Sequence, residues 1–169
     1  MTLPMNNRNT KMVKFYVGDI IPDTNTIFVF GSNPLGINGN PSRGTGGAAL
    51  TAVQYFGVGL HEKMNNCLSQ SKQAYGLVTI KAPGAKRSLT RNEIINNIRI
   101  LYSVAQSLPE KDFKVAYRNT SKPSLNGYTG YEMMEMFLAA GDIPKNIWFS
   151  SEWVNSYIFK NKFTSVELI

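Results

Sequence analysis

The chain has 169 residues, 43% hydrophobic and 17% charged, and its 18 Lys and Arg exceed its 11 Asp and Glu to leave a formal charge of +7. That length suits one domain with a sizeable core, and the surplus of cations favours an anionic ligand or partner. One cysteine and one histidine exclude an intrachain disulfide and a cysteine-rich zinc site. No stretch has the length of a membrane span and the N-terminus lacks a secretory pattern, so a cytoplasmic location with reduced thiols is expected.

Residues 1–12 are polar and carry Pro4. They are expected to form a flexible tail ahead of a single domain over 13–169. A first strand is predicted over 13–17, ended by Gly18-Asp19. The run 26–30, Thr-Ile-Phe-Val-Phe, is nearly all apolar, as in a strand covered on both faces. Residues 45–56 place Ala49, Ala52, Val53 and Phe56 on one helical face. A third strand is predicted over 75–80. Thr90-Arg91-Asn92-Glu93 spells a capping box, opening a helix with Ile94, Ile98, Leu101, Tyr102 and Ala105 on one side that stops near Pro109. A fourth strand over 113–117, a Met-rich helix over 131–140 and a fifth strand over 146–149 follow. Ser150 or Ser151 caps a last helix to about Lys160, and 163–168 closes the chain as a strand. Trp148 and Trp153 read as core. The alternation predicts a mixed or parallel sheet with helices on both faces.

Ligands of such sheets bind at the carboxyl ends of the strands. Three loops there are rich in Gly, Ser, Thr, Asn or Lys: 31–47, 81–88 and 119–130. In the first, Gly31, Gly44, Gly46 and Gly47 can bring bare backbone N–H groups to a ligand, and the helix start adds partial positive charge. That combination suits an anion, most often phosphate. The loop lacks the Gly-Lys-Ser/Thr ending of a P-loop. Asp19 reads equally as an acceptor for an adenine amino group or ribose hydroxyl and as a turn residue. Ser32 and Asn33 can orient a water or a ribose hydroxyl, or cap their own turn. Tyr128 can stack on a base or simply pack its loop. His61 reads as a surface or satisfied histidine, and Cys67 as a buried or inert thiol.

The elements Val17-Gly18-Asp19-Ile20, Phe30-Gly31-Ser32-Asn33 and Gly46-Gly47-Ala48-Ala49 resemble the macro domain, and more closely a phage and bacterial macro-domain-like group. The later Leu125-Asn126-Gly127-Tyr128-Thr129-Gly130-Tyr131-Glu132-Met133 and Pro144-Lys145-Asn146-Ile147 continue the resemblance in the same order. It implies a three-layer α/β/α fold with a mixed central sheet that binds ADP-ribose or a related NAD-derived nucleotide. It also implies that Asp19 and Ile20 meet the adenine. The 31–47 loop, with Gly31, Gly44, Thr45, Gly46 and Gly47, would hold one phosphate and the distal ribose. The 119–130 loop, with Ser124, Asn126, Gly127 and Tyr128, would hold the other phosphate. Arg43 and Lys122 depart from the group's pattern and add charge suited to an extra phosphate.

Two functions follow from that resemblance. One is an enzyme that hydrolyses an ADP-ribosyl linkage or removes the phosphate of an ADP-ribose phosphate, with Asn33 or Ser32 holding the water and backbone N–H groups of 44–47 stabilising developing charge. No carboxylate in the first glycine loop is available as a general base. The other is a non-catalytic module that reads ADP-ribosylated macromolecules or captures a free nucleotide signal; in a phage it would act as a sponge against host defence. The net charge also admits nucleic acid, which is disfavoured because no coherent basic stripe or recognised motif accompanies it. No cofactor, metal or membrane is expected.

Overall fold

The run Ile27-Phe28-Val29-Phe30 is buried throughout, because it lies in the middle of the sheet with a helical layer on each face. A computed structural model describes residues 2–4, 12–39, 47–118 and 123–160. In chain order its elements are β1 (Thr2–Pro4), β2 (Met12–Tyr16), β3 (Thr26–Ser32), α1 (Ala48–Tyr55), β4 (Cys67–Leu68), β5 (Ala74–Val78), α2 (Arg91–Ser107), β6 (Asp112–Val115), α3 (Gly130–Ala139), β7 (Ile147–Ser150) and α4 (Ser151–Lys160).

The seven strands form one sheet in the order β1-β2-β7-β6-β3-β5-β4. The five inner strands are mutually parallel, and β1 and β4 pair antiparallel at the two edges. Side chains alternate across β3. Phe28 and Phe30 face α1, where Ala49, Ala52 and Phe56 cover them and the Phe28 and Phe56 rings stack at 4.4 Å. Ile27 and Val29 face the layer made by α2, α3 and α4. The fold is therefore a three-layer α/β/α arrangement around a mixed sheet.

Local chemistry fixes where the helices begin. At α2, Thr90 Oγ1 accepts from Glu93 N–H at 3.1 Å while Glu93 accepts from Thr90 N–H at 2.9 Å. The same reciprocal pair opens α3 at Thr129 and Glu132. Ser150 Oγ accepts from Trp153 N–H at the start of α4. Trp153 is fully buried, donates its indole N–H to Gly130 O at 2.7 Å, and meets the rings of Phe137 and Phe149 edge-on.

Several expectations change. Residues 2–4, expected in a flexible tail, pair with β2 in the register Thr2↔Lys14 and so form an edge strand. The short strand β4 was not foreseen; two residues carry no periodicity to read. The Thr129-x-x-Glu132 spacing is a second capping box of the same form as Thr90-x-x-Glu93. Trp148 is half-buried on the α1 side of the sheet rather than in the core, with its N–H on Asp112 and the Lys14 ammonium 5.2 Å from its ring centroid. Cys67 is exposed, not buried. The expected strand over 163–168 lies outside the described residues. Among the described residues no helix is long and apolar enough to cross a membrane, and no group of three or more His, Cys, Asp or Glu is placed to hold a metal ion.

Buried Asn146 ties the end of α2 to the sheet. Its amide nitrogen lies 2.8–2.9 Å from the carbonyls of Ala105, Leu108 and Lys111. Asn146→Ala removes the side-chain donor that the three carbonyls share, although Ala105 O and Leu108 O keep the backbone N–H groups of Leu108 and Lys111, and a loss of about 1–3 kcal/mol in unfolding free energy is expected, read as a lower urea midpoint with an unchanged slope.

Candidate functional site

Parallel pairing of β3 with β5 and β6 carries all three glycine- and polar-rich loops to the same edge of the sheet. Their described parts meet in one cleft with a volume of about 340 Å³, within the range of roughly 300–1,000 Å³ common for small-molecule sites. Its floor comes from Phe30, Gly31, Thr79 and Ala116, and its walls from Asn33, Ile37 and residues 47–49, from Ile80 and Pro83, and from Tyr117, Arg118 and residues 123–126.

The α1 end of the cleft is the part best suited to an anion. Gly47, the N-cap of α1, has φ +61° and ψ −130°, and no side chain among the described residues caps this helix. The first intrahelical bond runs from Thr51 N–H to Gly47 O, so the preceding N–H groups belong to the open first turn. Gly47, Ala48 and Ala49 line the cleft with almost no side-chain bulk. Both α2 and α3 close their first turn with a capping box; among the described residues, α1 has no such cap.

Gly31 is required by a close approach. A Cβ there would lie 3.0 Å from Thr79 Oγ1 and 3.1 Å from the Tyr117 hydroxyl. Under it, Asn126 donates to the Tyr117 hydroxyl at 3.3 Å and accepts from Tyr128 N–H at 2.9 Å. Burial pushes the Tyr117 phenol up to about 12, against the opposing pull of its hydrogen bonds with Thr79 and Asn126, so it is a neutral hydroxyl at physiological pH.

The second and third loops are stapled together by Arg87. Its N–H donates to Asn126 O at 2.7 Å, its guanidinium meets Glu132 at 2.8 Å, and it lies 4.5 Å over the Tyr128 ring. Gly127, at φ +89°, packs so closely on Lys86 and Arg87 that a Cβ would lie within 3.0 Å of them.

The residues singled out in the sequence divide clearly. Gly31, Asn33, Gly47, Ser124 and Asn126 line the cleft. Arg43, Gly44, Thr45, Gly46 and Lys122 lie outside the described residues. Ile20 is buried in the core under α1. Tyr128 is buried, with its hydroxyl on Leu89 O at 2.7 Å, so its ring packs the loop and does not offer a face to a ligand. Gly127 supports the loop from behind. Asn33 accepts from Leu35 and Ile37 N–H and donates to Ile37 O at 2.9 Å, which commits its amide to its own turn. Ser32 is buried against Met64 and Gly76, and its hydroxyl has no partner among the described residues. His61 is exposed and, like Cys67, does not line the cleft.

Asp19 is exposed at the mouth, where its carboxylate pairs with Arg118 at 2.9 Å. Arg118 was missed in the sequence, as were Tyr117 and Thr79. The available signal was positional: each follows the carboxyl end of a central strand. Among the described lining residues Arg118 is the one ionised side chain, and none is Asp, Glu, His or Cys. Such a wall can bind an anion through N–H groups and a guanidinium, and it offers no general base.

Gly31→Ala drives a methyl into the Thr79 and Tyr117 hydroxyls. A loss of about 1–3 kcal/mol is expected, measured as a lower melting temperature together with a changed near-ultraviolet tyrosine signal. Comparison of the chain with protein-family models, with curated proteins and with solved structures finds no match.

Proposed function

We propose that the chain is a macro-like module that binds ADP-ribose or a related NAD-derived nucleotide and releases it unchanged. The observation that supports this most is the N-terminus of α1, uncapped among the described residues, at a cleft lined by the described parts of three strand-end loops. Helix N-terminal N–H groups favour a phosphate through both hydrogen bonding and the helix dipole. A second phosphate would meet the Ser124–Asn126 wall. The apolar side of the cleft, with Ile37, Ile80, Pro83 and Leu125, suits a base and the faces of two riboses.

Capture is favoured over hydrolysis by the two residues considered for catalysis. Asn33 spends its amide on its own turn and Ser32 is buried and does not line the cleft. A positioned water would have no described base to take its proton. The ligand is thus held by main-chain donors and shape, as a reader or sponge of an ADP-ribose-type signal requires.

Titration calorimetry with ADP-ribose, AMP, NAD and ADP-ribose phosphate tests the reading, followed by denaturation and chromatography of the released ligand. ADP-ribose is expected to bind and to be recovered intact; turnover of any of the four would replace capture with catalysis. Ala48→Glu puts a carboxylate into the first turn of α1, where it suits the helix dipole but repels a phosphate. The expected result is an unchanged melting temperature with affinity for ADP-ribose lowered about tenfold or more, a change worth about 1.4 kcal/mol per factor of ten. Equal affinity in that variant would contradict the site.

A further inference from the structure

We propose that Arg118 is the residue by which the cleft selects a phosphate-bearing nucleotide over a neutral nucleoside, and that Asp19 is the positioning residue that holds Arg118 rather than a reader of the base. The inference rests on the nucleotide-binding reading above and assigns its charge selectivity to one pair of side chains.

The geometry of the pair carries the argument. Arg118 lies three residues beyond the end of β6, and the backbone before it is fixed: Ala116 N–H donates to Val29 O at 2.9 Å, and the Tyr117 hydroxyl accepts from Asn126. The guanidinium is then held from one side. Its Nη1 meets Asp19 Oδ1 at 2.9 Å, and its Nη2 donates to Gly18 O at 3.3 Å. Gly18 is at φ +79°, the left-handed turn that aims its carbonyl back at the arginine. A guanidinium has five N–H donors in a rigid fork. Among the described residues these two contacts hold its orientation and leave donors for a ligand. Arg118 itself lines the cleft, whereas Asp19 does not, and Asp19 is 81% exposed.

A base reader needs its carboxylate inside the cleft, free to accept from the exocyclic amino group. Asp19 is outside it and engaged. Being so exposed, it offsets the charge of Arg118 only weakly, so the guanidinium still favours an anion. Arg87, a cation of the neighbouring loop, is spent on Glu132 and Tyr128. Arg118 is therefore placed to donate to a phosphate oxygen, bidentate where the ligand permits.

The test uses the full chain and its Arg118→Gln, Arg118→Lys and Asp19→Asn variants. Binding of ADP-ribose is measured directly and that of adenosine by competition, at low and high salt, with melting temperatures recorded alongside. Arg118→Gln is expected to weaken ADP-ribose about tenfold or more at low salt while leaving adenosine unchanged. That loss should shrink as salt screens the charge. Arg118→Lys should recover part of it. Asp19→Asn should give a smaller loss of the same kind, with adenosine again unaffected.

Equal losses for ADP-ribose and adenosine in Asp19→Asn would make Asp19 a base reader and overturn its assignment. Wild-type affinity of Arg118→Gln for ADP-ribose would overturn the role of Arg118 while leaving the nucleotide reading intact. A loss indifferent to salt would assign Arg118 to packing and also overturn it. If the wild-type chain binds neither ADP-ribose nor AMP, the nucleotide reading fails, and this inference with it.

Discussion

The site depends on β3 being held parallel between β5 and β6. With that register, Gly31 at the end of β3 faces Thr79 just past β5 and Tyr117 just past β6, close enough that only a hydrogen fits between them. The loops that leave these three strands then diverge from one point. A slip of one residue would turn Gly31 to the opposite face and exchange the buried and lining side chains along β3. The paired faces of β3, Phe28 and Phe30 under α1 and Ile27 and Val29 under the other helices, make that slip prohibitive.

Around this centre the chain treats its helix starts unequally. Three of them satisfy first-turn donors internally, through Thr90 with Glu93, Thr129 with Glu132 and Ser150 with Trp153. The fourth, α1, opens on a glycine and two alanines. Those small residues serve packing as well as access, since Ala49 and Ala52 sit against the phenylalanines of β3. The short side chains that let α1 approach the sheet thus also leave its first turn reachable from the cleft. Opposite it, the Arg87 staple joins the other two loops, so the far wall is braced by an ion pair, a hydrogen bond and a ring contact at once.

Much of this was legible in the residues. The apolar run 26–30, the heptad-like spacing from Ile94 to Ala105 and the Thr90 capping box are local signals, and each gives its element. The convergence of the three loops follows from β–α alternation alone, because parallel strands put their carboxyl ends on one edge. What the sequence hid is set by tertiary partners. Tyr128 sits in a glycine loop and looks available, but its hydroxyl finds Leu89 O in the interior. Asn33 looks like a polar group for a ligand, but its nearest acceptors and donors are in its own turn. Arg118 looks like any basic loop residue until Gly18 and Asp19, about a hundred positions earlier, are seen to hold it. Long-range pairs of this kind leave no periodic trace in the sequence.

The central claim is that the amides at the start of α1 and the guanidinium of Arg118 face the same bound diphosphate. Titration of isotope-labelled protein with ADP-ribose, followed by amide and guanidinium nuclear magnetic resonance, tests it most directly. The account predicts saturable shifts concentrated at Gly47, Ala48, Ala49, Ser124 and the Arg118 side chain. Shifts confined instead to the asparagine-lined hollow beside Asn66 and Asn97, on another part of the molecule, or no saturable shifts at all, would contradict it.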